Sequence, residues 1–309
     1  MAHTLKPRDE SDIVEAIAWA VLSGKSCDVI GHGTKCGIGR RVKADSTLDM
    51  SDHSGVVFYE PEELVLSAKA GTPMADIEKM LLAHRQEFAF EPMDTGPLFG
   101  HAAGGGTLGG MLSINFSGPR RIKAGASRDH ALGLRAVSGR GEAFKAGGRV
   151  VKNVTGYDLP KLMAGSFGTL AVMSELTFKV LPVAESNETL LILGLSDTGA
   201  IEVMAAAMGS ACDVSGAAHA PREVAAKLPF KTNSAVTALR LEGIARSIAY
   251  RRMKLEAMFK SVGTLVVLRD VESRLFWSAV RDVRPFTEHL SNALWRISVT
   301  PSEGAKIGE

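Results

Sequence analysis

The sequence is poor in the features that mark secreted, metal-binding and membrane-spanning proteins. It has 3 cysteines in 309 residues, Cys27, Cys36 and Cys212, and no two of them have the spacing of a metal or redox motif. Its histidines are scattered, without the HxxxH or HExxH spacing of a zinc site. No apolar run approaches the roughly 20 residues that span a bilayer, and the polar N-terminus lacks the apolar stretch of a signal peptide. These absences predict a cytoplasmic protein with free thiols and no metal held by the protein.

The chain also lacks a strong excess of charge. It carries 36 basic and 34 acidic residues, a net charge of +2, and these charges are dispersed along the sequence. Without a basic patch, binding to nucleic acid is not indicated. The hydrophobic content of 45% is ordinary for a globular protein, and 309 residues are enough for two domains.

Glycine, by contrast, is abundant and unevenly distributed. The 32 glycines are dense in the stretch Gly104–Leu181, where they alternate with short apolar runs and single polar residues. A flexible linker would lack those apolar runs. Because glycine has no Cβ, the pattern predicts a backbone that approaches another group closely at several points.

This stretch contains the spacing Gly104-x-Gly106-x-x-Gly109, which resembles a dinucleotide-binding fingerprint. That motif requires a strand before it and a helix after it, whereas the preceding residues read as a loop. The alternative is a tight turn in which Thr107 caps a short helix over Leu108–Asn115. Free amides at the start of such a helix would favour an anion.

A second glycine loop lies earlier in the chain. The strand predicted over Cys27–Ile30 runs into Gly31–Gly39, with sequence GHGTKCGIG. A strand that ends in a glycine loop with Thr and Lys is typical of a phosphate cradle, in which backbone N–H groups surround an anion. The alternative is a sharp turn between strands. His32 is either a surface residue or a hydrogen-bond donor to phosphate.

Periodicity predicts the remaining elements. Ser11 is expected to cap a helix over Asp12–Leu22, and Thr72 a helix over Met74–His84. A long strand is predicted over Gly168–Val180. Glycine density falls after Pro182, and strands then alternate with helices. Strands are predicted at Leu190–Leu195, Val236–Leu241, Thr264–Leu268 and Leu294–Val299, and helices at Ala200–Met208, Ile244–Phe259 and Ser273–Val283. This second region is expected to be an antiparallel sheet covered by helices on one face.

Several motifs together resemble a known family. They are Gly31–Gly39, Thr107–Gly110, Lys123–Gly133, Val151–Asp158 and Gly168–Val172, with the most specific at Lys152–Asp158 and Ala293–Ser298. The sequence is similar to the FAD-binding domain of the vanillyl-alcohol oxidase/p-cresol methylhydroxylase (PCMH) superfamily. More narrowly, it resembles the FAD-binding subunits of bacterial glycolate oxidases, over about Ile13–Val299.

The resemblance implies an α+β fold. A two-subdomain PCMH-type FAD-binding domain is expected over Met1–Pro182, followed by an antiparallel-sheet α+β cap domain over Val183–Glu309. Members of this superfamily continue with a further strand, a helix and a segment that returns to the flavin. The cap domain is therefore expected to be truncated at its C-terminus.

The resemblance also implies a binding site for FAD. The first loop is expected to hold the diphosphate, the second to border the ribityl chain and flavin ring, and a strand to form the far wall through its backbone. The residues implied are Gly31, His32, Gly33, Thr34, Lys35 and Gly37 for the diphosphate, Thr107, Gly109, Gly110 and Ser113 near the flavin, and Leu170 and Val172 at the wall. Thr34 stands where members with covalent flavin carry a histidine, so the FAD is expected to be non-covalent. The loop Val151–Asp158 is expected to pack beside the cofactor.

The function implied is that of an FAD-binding subunit of a multi-subunit glycolate (2-hydroxy-acid) oxidase. Its expected partners are a sister FAD-containing subunit and an iron–sulfur subunit, through which it could associate with a membrane. Three alternatives remain: a stand-alone 2-hydroxy-acid dehydrogenase, an assembly subunit that has lost flavin, and a nucleotide-binding regulator. Direct oxidation needs a base and a cation near the substrate. No such pair stands out, because His219 and His289 are isolated in the sequence, so no catalytic residue is assigned.

Overall fold

The computed structural model describes residues 3–40, 42–149, 156–288 and 291–308. Within these ranges the strands are β1 (His3–Leu5), β2 (Cys27–Ile30), β3 (Ser46–Asp49), β4 (Val56–Glu60), β5 (Val65–Lys69), β6 (Gln86–Glu87), β7 (Ala131–Ser138), β8 (Ala143–Gly147), β9 (Ala171–Lys179), β10 (Leu181–Pro182), β11 (Ser186–Leu193), β12 (Gly216–Ala220), β13 (Val236–Gly243) and β14 (Thr264–Arg269). The helices are α1 (Glu10–Leu22), α2 (Met74–Ala83), α3 (Leu108–Ile114), α4 (Arg121–Ala124), α5 (Ser127–His130), α6 (Leu159–Met163), α7 (Asp197–Met208), α8 (Arg222–Ala225), α9 (Ala245–Phe259), α10 (Asp270–Arg281) and α11 (Gly304–Gly308).

The chain forms two compact units. The first unit comprises Met1–Ser117 and Gly125–Val183, and the second comprises Gly118–Ala124 and Ala184–Glu309. The change from one unit to the other at Val183 and Ala184 coincides with the fall in glycine density after Pro182. The short segment that carries α4 groups with the second unit although it lies within the glycine-rich stretch.

Helix α1 begins two residues earlier than its periodicity indicates. Asp9, rather than Ser11, is the N-cap, and its carboxylate accepts a hydrogen bond from the Asp12 amide at 2.9 Å. The Ser11 hydroxyl donates to the same carboxylate at 2.6 Å. A carboxylate at the N-cap also interacts favourably with the helix dipole, which explains why Asp9 takes the role expected of Ser11.

Two sheets form the frame of the first unit. Strands β1, β3 and β2 make a parallel sheet in that order, and β4, β5, β9, β7 and β8 make an antiparallel sheet in that order. The larger sheet is covered on both sides. One core includes Leu66, Phe90, Leu112, Leu134 and Phe178, and the other joins Ile13, Leu48, Val137 and Val172. Because both sides are buried, the first half of β9 reads as a continuous apolar run.

The second unit has helices on both faces of its sheet, so the prediction of a single covered face is wrong. The sheet is antiparallel, in the order β12, β13, β11, β14. Leu239 of β13 packs with α7 and α9 on one face, while the preceding Ala238 packs with Trp277 of α10 on the other. Successive strand residues point to opposite faces, and here both faces are apolar.

The predicted strand Leu294–Val299 is wrong for the part of the chain that the structure describes. These residues have no strand partner there, and Trp295 is 81% exposed. An isolated strand gains no ladder hydrogen bonds, so an alternating pattern alone does not produce one. Strand β12 was not expected, because its sequence of GAAHA offers little β-propensity.

Among the described residues, no helix is both long enough and apolar enough to cross a membrane.

Candidate functional site

A cleft of about 600 Å³ opens in the first unit, within the range of small-molecule and cofactor sites. The glycine loop after β2, the start of α3 and the beginning of β9 form its walls. The residues that line it are Asp28, Val29, Ile30, Gly31, His32, Gly33, Thr34, Lys35, Cys36, Ile38, Gly39, Arg40, Val42, Met50, Ala70, Thr107, Gly109, Gly110, Ser113, Ile114, Phe167, Gly168, Thr169, Ala171 and Met173. Two glycine loops distant in the sequence therefore border one cavity.

The first loop offers backbone donors to this cleft. Among the described residues, the amides of His32, Gly33, Thr34 and Lys35 have no hydrogen-bond acceptor. Gly33 has φ of +71°, a left-handed conformation that glycine adopts without strain. Successive amides around such a residue form a concavity that binds anions. Amides without an acceptor around a left-handed glycine are what the predicted phosphate cradle requires.

The second loop approaches the first closely. A Cβ at Gly31 would lie 2.4 Å from the Thr107 hydroxyl oxygen, which is far too short for a real contact. Thr107 is buried and caps α3 by accepting from the Gly110 amide at 3.3 Å. Only glycine at position 31 allows this approach, and the cap predicted at Thr107 is confirmed.

The amides at the start of α3 are already bonded. Leu108, Gly109 and Gly110 donate respectively to the Thr72 carbonyl at 2.9 Å, the Ala70 carbonyl at 2.7 Å and the Thr107 hydroxyl. The expectation of free anion-binding amides here is therefore wrong. The dinucleotide-fingerprint interpretation of Gly104, Gly106 and Gly109 fails as well, because the described residues just before them form a loop rather than a strand.

Lys35 supplies a positive charge between the two loops. Its ammonium lies 3.2 Å from the Thr34 hydroxyl, and a Cβ built at Gly106 would be 3.0 Å from its Nζ. Burial lowers the pKa of Lys35, and the nearby charge of Asp94 opposes that shift. A half-buried ammonium beside unbonded amides creates a positive field that a bound anion would neutralise.

His32 ties the loops together at the cleft rim. Its Nδ1 lies 3.0 Å from the carbonyl oxygen of Gly105. A carbonyl oxygen only accepts, so Nδ1 carries the hydrogen in this contact. His32 is exposed, and its role in this structure is a bond between loops.

Most of the residues expected at the site line the cleft. The exceptions are Gly37, Leu170 and Val172, which are absent from the described lining. A Cβ at Gly37 would be 2.4 Å from the ring of Phe99, so this glycine permits packing beneath the loop. Leu170 is 49% exposed and precedes β9.

The strand residues that do line the cleft are Ala171 and Met173. Val172, between them, points to the opposite core with Ile13 and Leu48. In a strand that is buried on both sides, hydrophobicity does not reveal which residues face which core, so the sequence did not single out Ala171 and Met173. The roles of Leu170 and Val172 at the wall stay predictions that concern only their backbone.

The motif Val151–Asp158 is only partly described. Residues 151–155, including Lys152 and Asn153, lie outside the described residues. Tyr157 is 90% exposed, and neither it nor Asp158 lines the cleft. Asp158 caps α6 by accepting from the Lys161 amide at 3.3 Å, and it also pairs with the Lys161 ammonium. Asp158 therefore stabilises the start of its own helix.

Of the two histidines expected to be isolated, His219 and His289, the structure describes only His219. His219 is bonded on both sides, with Nδ1 2.9 Å from the Thr237 hydroxyl and Nε2 3.0 Å from the Asp197 carboxylate. Thr237 is fully buried, so this arrangement joins β12, β13 and α7 rather than presenting a nucleophile. His289 lies outside the described residues.

The fold of the chain is similar to that of a solved structure. A structure of alkyldihydroxyacetonephosphate synthase matches with a TM-score of 0.70 at 16% identity, over 92% of this chain and 54% of that one. At this identity the likeness concerns the fold alone. Together with the glycine-loop cleft, it defines the class as an α+β protein with a PCMH-type FAD-binding fold.

A known protein family matches much of the first unit. Residues 1–147 match the family described as FAD binding domain. The match covers 147 of the 309 residues and indicates an FAD-binding segment.

Curated relatives match parts of the chain. The chain is 41% identical over 170 residues to the glycolate oxidase subunit GlcE of Escherichia coli, covering 55% of this chain and 46% of that protein. It is 41% identical over 87 residues to the glycolate oxidase subunit GlcD of Bacillus subtilis, covering 28% and 18%. A D-lactate dehydrogenase of Anaerostipes hadrus is 31% identical over 170 residues, covering 55% and 33%. The chain thus spans less than half the length of each of these relatives.

Proposed function

We propose that the cleft binds FAD with its diphosphate against the loop Gly31–Gly39. The observation that carries this proposal is the set of four successive amides, His32–Lys35, that have no acceptor within the described part of the chain and lie beside the Lys35 ammonium. A diphosphate is the part of FAD that needs several donors and a compensating positive charge. The proposed diphosphate residues are Gly31, His32, Gly33, Thr34, Lys35 and Gly37.

The flavin end of the cofactor then lies toward α3 and β9. Thr107, Gly109, Gly110 and Ser113 border this part of the cleft, and Ala171 and Met173 supply an apolar wall. A flavin ring is large and mostly apolar, so a slot of this character suits it. When bound, the flavin supplies redox chemistry, and this chain supplies its orientation and surroundings.

We infer that the attachment is non-covalent. Thr34 is buried and has no ring nitrogen that could bond to the flavin. His32 is exposed and uses Nδ1 for the Gly105 carbonyl. Acid precipitation of the purified protein is expected to release all its yellow colour into the supernatant. Colour that remains with the denatured pellet would contradict this inference.

We further propose that the protein is the FAD-binding subunit of a multi-subunit glycolate (2-hydroxy-acid) oxidase. Its partners would be a sister flavoprotein subunit and an iron–sulfur subunit, with this chain taking part in electron transfer. The support comes from its similarity to proteins named as glycolate oxidase subunits and to a D-lactate dehydrogenase. An FAD-dependent oxidoreductase acting on small 2-hydroxy acids is the activity common to those names.

Flavin content and substrate-dependent reduction of an artificial electron acceptor test this proposal. We expect about one FAD per chain and glycolate-dependent reduction only when the partner subunits are co-expressed. Turnover of about 1 per second or more by the isolated chain would instead indicate a stand-alone dehydrogenase. A colourless protein that does not take up added FAD would indicate a subunit without flavin.

A further inference from the structure

Phe167 combines backbone strain, an exposed ring and a place in the cleft. Its φ of +54° is left-handed, its side chain is 52% exposed, and it is one of the lining residues. A bulky residue at positive φ is strained, because its Cβ crowds the backbone. A half-exposed phenyl ring also gains only part of the free energy that full burial would give. Neither the backbone nor the ring of Phe167 has the arrangement that folding alone favours.

Hydrogen bonds to α3 hold Phe167 in this conformation. Its amide donates to the Ser113 carbonyl at 2.9 Å, and the Gly165 amide donates to the Leu112 carbonyl at 3.1 Å. Both acceptors lie in the last turn of α3, where carbonyls need donors from outside the helix. A strained residue persists where its surroundings fix the backbone in this way. The turn Gly165–Thr169 is therefore tied to a helix that borders the cleft.

The same turn reaches the strand before the first glycine loop. A Cβ built at Gly168 would lie 3.6 Å from the Cβ of Val29 in β2. Val29 and Ser113 both line the cleft, so Phe167 is held next to two of its walls. Among the described lining residues, Phe167 alone carries a phenyl, phenol or indole ring. The cleft thus has one such ring available to a planar group of a ligand.

Packing within the protein does not account for the ring of Phe167. In the same unit, Phe88, Phe90 and Phe178 are buried and contact one another. Within the described part of the chain, Phe167 makes no ring–ring contact and joins neither hydrophobic core of the first unit. Strain at a residue that stabilises no core is typical of a functional site.

We propose that Phe167 is a binding residue whose ring stacks on a planar ring of the bound cofactor. The inference rests on the proposed FAD site and adds a contact within it. FAD has two flat aromatic groups, the flavin and the adenine, and stacking of a phenyl ring on either is favourable. The strain is present before the cofactor binds, and the contact that repays it forms only in the complex.

The FAD dissociation constant tests the contact. Phe167→Leu keeps an apolar side chain at the same strained position but lacks the ring, so we expect binding to weaken roughly three- to tenfold. Phe167→Trp provides a larger ring and should stay within about twofold of the wild type. Equal FAD affinity in wild type and Phe167→Leu would refute the stacking contact. A wild type that does not bind FAD would instead refute the proposed site.

FMN and ADP identify the ring that is stacked, because FMN lacks the adenine and ADP lacks the flavin. With the flavin end toward α3, we expect Phe167→Leu to weaken the binding of FMN and leave that of ADP unchanged. The opposite result would support stacking on the adenine and reverse the orientation of the cofactor. Unchanged binding of both fragments would contradict the proposal.

The stability of the apo protein separates a role in binding from a role in folding. Glycine adopts a left-handed backbone without strain, so Phe167→Gly should unfold at the wild-type temperature or above it, while binding FAD at least as weakly as Phe167→Leu. The matched control is Arg85→Gly, at φ of +56° on an exposed residue that does not line the cleft. It should keep the wild-type FAD affinity. A clear fall in the unfolding temperature of Phe167→Gly would show that the ring serves the fold and would overturn the proposal.

Discussion

The two glycine loops of this protein look alike in sequence but differ in what their backbones do. In the first, the amides of His32–Lys35 have no acceptor among the described residues. In the second, the amides of Leu108–Gly110 are bonded to carbonyls and to the Thr107 hydroxyl. Glycine density therefore has two distinct physical uses here. One loop presents donors to a ligand, and the other allows chain segments to pack without an intervening Cβ.

This difference indicates that backbone amides without an acceptor, rather than glycine spacing, identify an anion site. The second loop has the more familiar Gly-x-Gly-x-x-Gly pattern, yet Gly109 serves to bring α3 against Ala70. The first loop matches no nucleotide motif closely, yet it combines a left-handed Gly33 with the Lys35 ammonium. Substitutions in the two loops should consequently separate ligand binding from stability.

The largest expected effect is from Gly33→Val in the first loop. A β-branched residue is strained at φ of +71°, at a cost of about 1–3 kcal/mol, and relieving that strain turns the amides away from the cleft. We expect the purified variant to contain no FAD. The matched control is Gly24→Val, at φ of +60° with open space around it and away from the cleft. Gly24→Val should lose a similar amount of stability but keep its flavin. Full flavin content in Gly33→Val would show that the conformation of the first loop is not needed for FAD binding.

Lys35→Met should have the next largest effect. Removing a charge-assisted contact costs about 1.5–3 kcal/mol, which predicts roughly 10- to 100-fold weaker FAD binding by titration. Lys79→Met, on the exposed side of α2, should leave the affinity unchanged. An unaltered dissociation constant in Lys35→Met would show that the Lys35 ammonium does not contribute to FAD binding.

The same lysine predicts a pH dependence. Because burial lowers the pKa of Lys35, its positive charge is lost at a lower pH than for an ordinary lysine. FAD affinity should fall as pH rises through that lowered pKa, since the neutral amine no longer attracts the diphosphate. The fall should be absent in Lys35→Met, and identical pH profiles for the two proteins would argue against the effect.

Gly109→Ala in the second loop should mainly affect stability. A Cβ there would lie 2.9 Å from the Cβ of Ala70, and overpacking of this kind costs about 1–3 kcal/mol. Denaturant unfolding should show this loss, with a smaller change in FAD affinity than in Lys35→Met. Gly199→Ala, in the first turn of α7 with its nearest contact at 3.4 Å, is the control and should be neutral or stabilising.

The smallest expected effect is from Thr107→Ala. Loss of this N-cap should cost about 1 kcal/mol of unfolding free energy, while the unbonded amides of the first loop stay in place. Ser196→Ala removes the equivalent cap from α7, where the Ser196 hydroxyl accepts from the Gly199 amide at 3.2 Å. We expect both variants to lose a comparable amount of unfolding free energy, with FAD affinity nearly unchanged in Thr107→Ala. This result would support a packing role for the second loop. A large loss of FAD affinity would show that the second loop binds the cofactor directly.

Much of the fold could be predicted because its elements are locally encoded. Helix α3 with its Thr107 cap follows from a capping residue next to a short apolar run. Elements that depend on distant partners could not be predicted. Leu294–Val299 has a strand pattern without a partner in the described chain, and β12 has a partner in β13 without a strand pattern.

In the site, too, locally encoded features could be predicted and features that depend on distant residues could not. The first loop could be predicted from the strand Cys27–Ile30 and the glycines after it, since these follow one another in the chain. The phase of β9 could not, because Ala171 and Val172 are equally apolar and face different cores.

Amide hydrogen exchange with and without FAD tests the central claim most directly. Exchange at unbonded, solvent-accessible amides is fast and slows when a ligand accepts their hydrogens. We predict that FAD slows exchange at His32–Lys35 strongly, whereas Leu108–Gly110 is already protected in the apo protein and changes little. Riboflavin, which lacks the diphosphate, should not protect His32–Lys35. New protection at Leu108–Gly110 with none at His32–Lys35 would contradict the account.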